Sequence, residues 1–307
     1  MTDTFYAHGK LLLTGEYFVL DGALALALPC KLGQSMTVET IDSPDSILKW
    51  KSLDHENNVW FEATFDLLTF KILNHSDIKT AITLQGIIEI VHSNNPFFLN
   101  PEKSTFVETK LEFPRLWGLG SSSTLIYNIA RWSNTNPYQI LKATMGGSGY
   151  DIACAGADGP VLYQKIRGKS TVENCRFNPP FRDQIYFIYL EKKQSSAEGI
   201  KLYRKKLKHE PKLIEQINKI TNAVLSSKTL ANFEYQIEKH EALISKTLEL
   251  PRVKDQFFRD FPGVVKSLGA WGGDFVMATS EWGDIKTKEY FNEKGFEVFL
   301  KYEELIL

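Results

Sequence analysis

Residues 114–123 read Pro114-Arg115-Leu116-Trp117-Gly118-Leu119-Gly120-Ser121-Ser122-Ser123 and connect two segments of different periodicity. Residues 104–113 alternate in polarity, as a strand does, and residues 124–132 have helical character. Backbone N–H groups converge where such a helix begins, and the helix dipole favours an anion there. We therefore expect Gly118–Ser123 to bind phosphates, with the glycines allowing close approach and the serine hydroxyls capping the helix or meeting phosphate or Mg²⁺.

Two familiar phosphate loops are excluded by spacing. A P-loop ends in Gly-Lys followed by Ser or Thr, and this loop contains no lysine. A dinucleotide fingerprint needs a third glycine, where Ser123 stands instead. A serine-capped helix after a tight turn, with no ligand, remains open on this loop alone.

The bulk composition indicates a soluble two-substrate enzyme. A chain of 307 residues favours two domains that share a cleft. A formal net charge of -1 provides no field for nucleic acid or a membrane surface. The three cysteines suggest neither a disulfide framework nor a zinc site, and no secretion signal or membrane span is apparent, so we expect a cytoplasmic protein.

The pattern of elements predicts an α+β fold with a domain connector in the proline-containing segment 174–183. The first domain is expected over 1–175, beginning with a β-hairpin that turns at Asp21-Gly22. The second is expected over 183–307, with helices segregated from an antiparallel sheet.

Three motifs together resemble the GHMP kinases, which include galactokinase, homoserine kinase, mevalonate kinase and phosphomevalonate kinase. Pro114 to Ser122 matches their PxxxGLGSS motif. Ala7-His8-Gly9-Lys10 with Gly15-Glu16-Tyr17 is similar to their first motif, usually APGK...GE, and residues 268–274 to their third, usually SGAGGG. The order is that of the family, and the resemblance implies a ribosomal-S5-like N-terminal domain and a ferredoxin-like C-terminal domain.

The resemblance implies a catalytic pair formed by Lys10 and Asp151. Phosphoryl transfer needs cations that neutralise developing charge, which Lys10 and Mg²⁺ would supply. Asp151 would act on the acceptor hydroxyl as a base or as an orienting group. A solvated strand-end lysine and an aspartate that only balances a helix dipole are the structural alternatives.

Further residues would contact the acceptor or the nucleotide. Glu16 and Tyr17 belong to the first motif, and Ser196 closes a Gln-Ser-Ser segment that resembles the serine-bearing stretch of phosphomevalonate kinases. The third motif would bring a second backbone cradle toward the phosphates. The predicted substrate-binding residues are Glu16, Tyr17, Ser195, Ser196, Gly269, Ala270, Gly272 and Gly273.

The acceptor is expected to belong to isoprenoid precursor synthesis. Gly15-Glu16-Tyr17 and the segment 148–153 resemble phosphomevalonate kinases more than mevalonate kinases. A phosphate acceptor is ionised at neutral pH and needs cations, whereas an alcohol must lose its proton. The candidate partners of an acceptor phosphate are Arg115, Lys192, Lys193 and Lys201.

Three departures from the family pattern bear on the metal. His8 replaces a proline, Trp271 interrupts the third glycine motif, and no acidic residue lies between Arg131 and Gly149. Mg²⁺ would therefore depend on Ser121 or Ser122, on Asp151 and on ATP itself. A non-catalytic nucleotide-binding protein, and a kinase for a sugar or homoserine, remain alternatives, and the sequence does not define the oligomeric state.

Overall fold

The computed structural model describes residues 2–192, 196–207, 210–269 and 271–307. The chain divides into two compact units, each built from several segments. Unit 1 contains residues 1–9, 32–115 and 120–156, and unit 2 contains residues 10–31, 116–119 and 157–307. The predicted division into 1–175 and 183–307 stays a prediction.

Strands and helices occur largely in separate runs, with five strands before α1 and four successive helices from α5 to α8, which confirms the predicted α+β class. The strands are β1 Thr2–Thr14, β2 Ala25–Asp42, β3 Ile47–Leu53, β4 Val59–Asp66, β5 Ile72–His75, β6 Lys103–Leu111, β7 Val161–Ile166, β8 Lys169–Asn174, β9 Ile185–Tyr189, β10 Val265–Ser267, β11 Phe275–Thr279 and β12 Phe299–Lys301. The α-helices are α1 Ile78–Asn94, α2 Ser121–Ser133, α3 Pro137–Thr144, α4 Tyr150–Ala155, α5 Ser196–Lys206, α6 Pro211–Ser226, α7 Leu230–Leu248, α8 Val253–Phe257, α9 Asp284–Glu293 and α10 Tyr302–Leu305.

Unit 1 is built around a mixed sheet. Its strand order is β5, β4, β3, β6 and the second half of β2, and β3 runs parallel to β6 while the other neighbours are antiparallel. One face of the sheet is buried, so Trp50, Phe65 and Val107 pack with Leu84 of α1 and Ile126 of α2 in a single core. That core holds α2 and α4, which carry predicted site residues.

Two helices of unit 1 begin at a side-chain cap. Asp77 caps α1, since its carboxylate accepts the N–H of Thr80, and Asn136 caps α3 ahead of Pro137. The glycine loop ends at Gly120, which stands at the cap position of α2 without a side chain to fill it.

Unit 2 has an antiparallel sheet in the order β10, β11, β9, β12. A second set of strands pairs the first half of β2 with β7, and β7 with β8. Tyr203 of α5, Ile217 of α6 and Ile244 of α7 pack with Trp271 in one of its cores. Distant chain segments also pair directly, because the N–H of Leu307 donates to the Pro29 carbonyl at 3.0 Å.

The predicted hairpin at Asp21-Gly22 is wrong. Residues 18–21 form a 3₁₀ helix, Phe18–Asp21, in place of a second strand. The extended chain ends earlier, because Gly15 has φ 90° and Tyr17 has φ 62°. Phe18 is wholly buried, so the apolar residues that suggested a strand instead fill the core of unit 2. Among the described residues, no helix combines the length and apolar character needed to cross a membrane.

Candidate functional site

The glycine loop opens α2 with an uncapped N-terminus. Gly118 and Gly120 have φ values of 68° and 95°, the left-handed region that glycine enters without strain. The Ser123 hydroxyl donates to the Gly120 carbonyl at 2.8 Å and is buried. Ser121 is half-buried and Ser122 is exposed, so the first turn presents two serines near the surface. The start of α2 thus has no side-chain cap, as an anion site at a helix N-terminus requires, and the predicted binding of phosphate there stays a prediction.

Lys10 lies beside the start of this loop. Its Nζ donates to the Gly118 carbonyl at 2.9 Å, and its backbone N–H donates to the Leu119 carbonyl at 2.9 Å. Leu119 is wholly buried, which anchors the loop to β1. Two predicted residues that stand 108 positions apart in the sequence are therefore in direct contact.

Asp274 is the last residue of the third glycine motif, and the sequence analysis gave it no role. A β carbon added to Gly118 would lie 2.4 Å from the Asp274 Oδ2 atom. The carboxylate therefore packs against the Gly118 backbone, and only glycine fits at that position. Asp274 itself has φ 49°, and its N–H donates to the Lys192 carbonyl at 2.8 Å.

Asp151 occupies the first turn of α4 in unit 1. Gly149, with φ 97°, precedes the helix, and the Asp151 side chain is half-buried. Ile152 packs into the same core as Ile126 and Ile129 of α2, which fixes the start of α4. This is a rigid, accessible position for a carboxylate, and the predicted pairing of Asp151 with Lys10 stays a prediction.

Glu16 and Tyr17 have many contacts within unit 2. The Glu16 side chain is 1% exposed and forms an ion pair with Lys266. The Tyr17 hydroxyl accepts the N–H of Trp271 at 3.1 Å, and its ring stacks on Tyr203 with centroids 5.7 Å apart. Their predicted contact with a substrate stays a prediction.

Lys266 also lies 3.4 Å from the Glu241 Oε1 atom and donates to the Ser267 carbonyl at 2.8 Å. The sequence analysis assigned no role to any histidine. In the structure, the imidazole of His240 on α7 lies beside Glu16, in the same buried group as Lys266 and Glu241. No sequence motif marks His240 and Glu241, which are neighbours on α7, so only the fold reveals that both are buried.

The third glycine loop is partly described. Gly269 and Gly272 have φ values of 67° and 89°, and Gly273 is buried. Ala270 and Ser195 lie outside the described residues. Ser196 begins α5, and its side chain also lies outside them. The roles predicted for these residues stay predictions.

The predicted cations for an acceptor phosphate have different surroundings. The Arg115 guanidinium lies 3.6 Å from the ring centre of Trp60, and partial burial lowers the pKa of Arg115. Lys192 and Lys201 are exposed, and Lys193 lies outside the described residues. None of these roles is tested by the geometry.

The predicted Mg²⁺ site depends on which donor side chains the chain offers. Within the described ranges, no group of three His, Cys, Asp or Glu side chains is arranged to hold a metal ion. Mg²⁺ keeps several waters and is commonly held by one or two protein oxygens together with substrate phosphates. The hydroxyls of Ser121 and Ser122 and the carboxylate of Asp151 are oxygen ligands of that kind, and their binding of Mg²⁺ stays a prediction.

The architecture is that of the GHMP kinase fold, which confirms at the level of fold the resemblance drawn from three motifs. A mevalonate kinase from Methanococcus jannaschii superposes with a TM-score of 0.69 at 17% identity, over 98% of this chain and 97% of that chain. The Streptococcus pneumoniae phosphomevalonate kinase, in complex with phosphomevalonate and AMPPNP, gives 0.68 at 18% identity, over 97% and 99%.

A Lactococcus lactis galactokinase complexed with galactose superposes with a TM-score of 0.64 at 13% identity, over 95% of this chain and 88% of that chain. No protein-family model and no curated protein sequence matches the chain. The likeness therefore lies in the fold, and the activity has to be argued from the residues.

Proposed function

We propose that this chain is an ATP-dependent small-molecule kinase that transfers the γ-phosphate of ATP to phosphomevalonate or mevalonate. The contact of Lys10 with the Gly118 carbonyl at 2.9 Å carries the proposal. It brings the cation of the first motif to the loop that opens α2. A left-handed glycine, a helix N-terminus without a side-chain cap and a lysine thus occur together in one short stretch of backbone, which supports phosphate binding there.

The loop would hold the nucleotide's phosphates. The N–H groups at the start of α2 and the helix dipole attract negative charge, and Gly118 and Gly120 let the backbone approach closely. Lys10 would neutralise charge that develops during transfer. Bound Mg²⁺ would supply further positive charge next to Ser121 and Ser122, a role that the exposed Ser122 hydroxyl favours.

Asp151 would orient the acceptor and, for an alcohol acceptor, take its proton. An acceptor phosphate is ionised already and needs cations in place of a base. Arg115, Lys192 and Lys201 are the described candidates. The choice of an isoprenoid acceptor rests on the segments around Glu16 and Asp151 and on the neighbours named above as mevalonate and phosphomevalonate kinases.

ADP release with a panel of acceptors tests the proposal. The purified chain is incubated with Mg-ATP and mevalonate, phosphomevalonate, homoserine or sugars, and the assay is repeated with Lys10→Met and Asp151→Ala. We expect one isoprenoid acceptor to stimulate ADP formation in the unmodified chain only. Stimulation by a sugar or homoserine would show that the acceptor is not an isoprenoid precursor. ATP binding without turnover would identify a non-catalytic nucleotide-binding protein.

A further inference from the structure

Four ionisable side chains form a closed cluster inside unit 2. Glu16 and Glu241 are each 1% exposed, and Lys266 and His240 are 0% exposed. Lys266 reaches Oε1 of both glutamates. The Oε2 atom of Glu16 lies 3.2 Å from the Nε2 atom of His240.

The nitrogen of His240 that faces Glu16, Nε2, is a hydrogen-bond acceptor. The backbone N–H of Gly15 donates to His240 Nε2 at 3.0 Å, which requires a lone pair on that nitrogen. Glu16 Oε2 lies 3.2 Å from the same nitrogen. If Glu16 were ionised, a lone pair of Oε2 would face the lone pair of His240 Nε2. If Oε2 is protonated, it donates to Nε2, which then accepts from both Glu16 and the Gly15 N–H.

The count of charges leads to the same requirement. Two carboxylates face one ammonium group, because His240 is neutral when Nε2 accepts a hydrogen bond. Full ionisation would therefore leave one uncompensated negative charge in a site closed to water. Such a charge is costly, and a buried group commonly binds a proton instead.

Unpartnered atoms in the cluster point the same way. Four buried polar atoms of the described residues lack a hydrogen-bond partner there, namely Glu16 Oε2, Glu241 Oε2, His240 Nδ1 and Ser267 Oγ. Of these atoms, only the two carboxylate oxygens are acceptors that lack a donor; His240 Nδ1, which carries the ring hydrogen when Nε2 accepts, and the Ser267 hydroxyl lack an acceptor instead. A bound proton supplies the missing donor at Glu16.

We propose that Glu16 and His240 form a buried proton-binding site, in which a proton taken from solvent is held on Glu16 Oε2 and donated to His240 Nε2. Its occupancy lets the turn that bears Glu16 pack against the segment that bears Lys266 and Trp271. That segment is tied to the cluster by the indole N–H of Trp271, which donates to Glu241 Oε1 at 3.2 Å.

The titratable groups that face Glu16 are Lys266 from β10, Glu241 and His240 from α7, and Tyr17 beside it in the chain. Burial raises the pKa of Glu16 to about 7, although the Lys266 charge opposes the shift. Burial also raises the pKa of Glu241, and burial together with the Lys266 charge holds the pKa of His240 well below its usual value. These directions agree with a proton on Glu16.

Carboxyl NMR of the full chain tests the site. Glutamate side-chain carboxyls are labelled with carbon-13 and titrated from about pH 4 to about pH 9. We expect one carboxyl with a midpoint of about 7, absent from Glu16→Gln, which keeps the hydrogen-bonding shape of the protonated acid. If every glutamate of the unmodified chain titrates near the ordinary value of 4.5, the proposal is overturned.

Two further measurements keep the test decisive if Glu16→Gln does not fold. Glu241→Gln removes the neighbouring like charge, so the Glu16 midpoint should move to lower pH, and an unmoved midpoint contradicts the charge count. The imidazole signals of His240 should remain those of the neutral ring through the whole transition of Glu16. An imidazolium ring that titrates in step with Glu16 would place the proton on His240 and refute the assignment.

Discussion

Lys10 and Glu16 belong to the same motif and stand six positions apart in the sequence, yet their environments differ completely. Lys10 is half-buried and donates to a carbonyl of the glycine loop. Glu16 is 1% exposed and paired with Lys266 inside the protein. One motif thus contains a lysine that is partly open to solvent and a glutamate that is enclosed in the protein.

The difference has an energetic basis. A charge in a closed site must be compensated by another charge or by a proton, since several kcal/mol are lost otherwise. A half-exposed lysine retains part of its hydration and can exchange water for phosphate. Substitutions should therefore affect folding at Glu16 and its partners, and activity at Lys10.

The largest effect is expected from Lys266→Met. It leaves Glu16 and Glu241 buried without a cation, which should lower the free energy of unfolding by about 3–5 kcal/mol. Denaturant titration measures the loss. The exposed pair of Lys219 with Glu215 supplies the control, where Lys219→Met should cost about 0.5 kcal/mol or less. Equal losses in both variants would contradict the difference between the buried ion pairs of Lys266 and the exposed pair of Lys219.

Lys10→Met should reduce kcat by about 10²–10³-fold while changing stability by about 1 kcal/mol or less. In the proposed reaction Lys10 would neutralise developing charge beside Gly118, and it lies outside the closed ionic cluster. Steady-state kinetics with the acceptor found in the panel measure the change. Lys49→Met, at an exposed position of β3, is the matched control and should leave kcat unchanged.

Gly118→Ala should cost more than Gly146→Ala, although both glycines have nearly the same φ, 68° and 69°. A β carbon at Gly118 meets Asp274 Oδ2 at 2.4 Å, whereas one at Gly146 meets nothing within 4 Å. The excess loss of stability should be about 1–3 kcal/mol, the usual cost of overpacking. Denaturant titration of both variants gives the difference. Adding Asp274→Gly to Gly118→Ala should reverse the excess loss of stability. If stability is not restored, the overlap with Asp274 is not its cause.

The smallest effect concerns pH. The pKa of Glu16 is raised from 4.5 to about 7, so its contribution to stability is complete below pH 4.5 and is lost as pH rises through about 7. Between these values the unmodified chain should lose about 1.4 kcal/mol per pH unit relative to Glu16→Gln. Thermal or denaturant unfolding at several pH values measures this slope, and parallel curves for the two proteins would contradict it.

His240 contributes in the opposite sense. Its pKa is depressed in the folded chain, so its contribution is complete above the unfolded value of 6.5 and is lost as pH falls below it. Between pH 4.5 and 6.5 the two contributions cancel, because folding transfers a proton from His240 to Glu16. The unmodified chain should accordingly show a flatter pH dependence than Glu16→Gln in that range.

Local signals predicted much of this fold. The order of strand, glycine loop and helix around Gly118, the short helix at Tyr150 and the α+β class follow from periodicity and turn residues. Three motifs in order then indicated the fold that the structural neighbours share. The hydrogen bond of Lys10 to the Gly118 carbonyl shows that residues of the first two motifs are in contact.

Other features depend on tertiary context. Residues 16–20 are apolar enough for a strand, but the left-handed Gly15 and Tyr17 turn them into a core-filling 3₁₀ helix. His240 and Glu241 lie on a helix whose pattern does not distinguish a buried charge from an exposed one. Their role appears only when β10 brings Lys266 to them, which no local pattern encodes.

Unit 2 draws residues 10–31 and residues 157–307 into one body, and the bond from Leu307 to Pro29 joins them directly. During synthesis the early segment leaves the ribosome on the order of 10 s before its late partners, at about 5–20 residues per second. The apolar run Ala23–Leu28 is meanwhile without the β7 and α6 neighbours that cover it in the folded chain. The nascent protein should therefore need protection of this segment, and unit 1 can fold first.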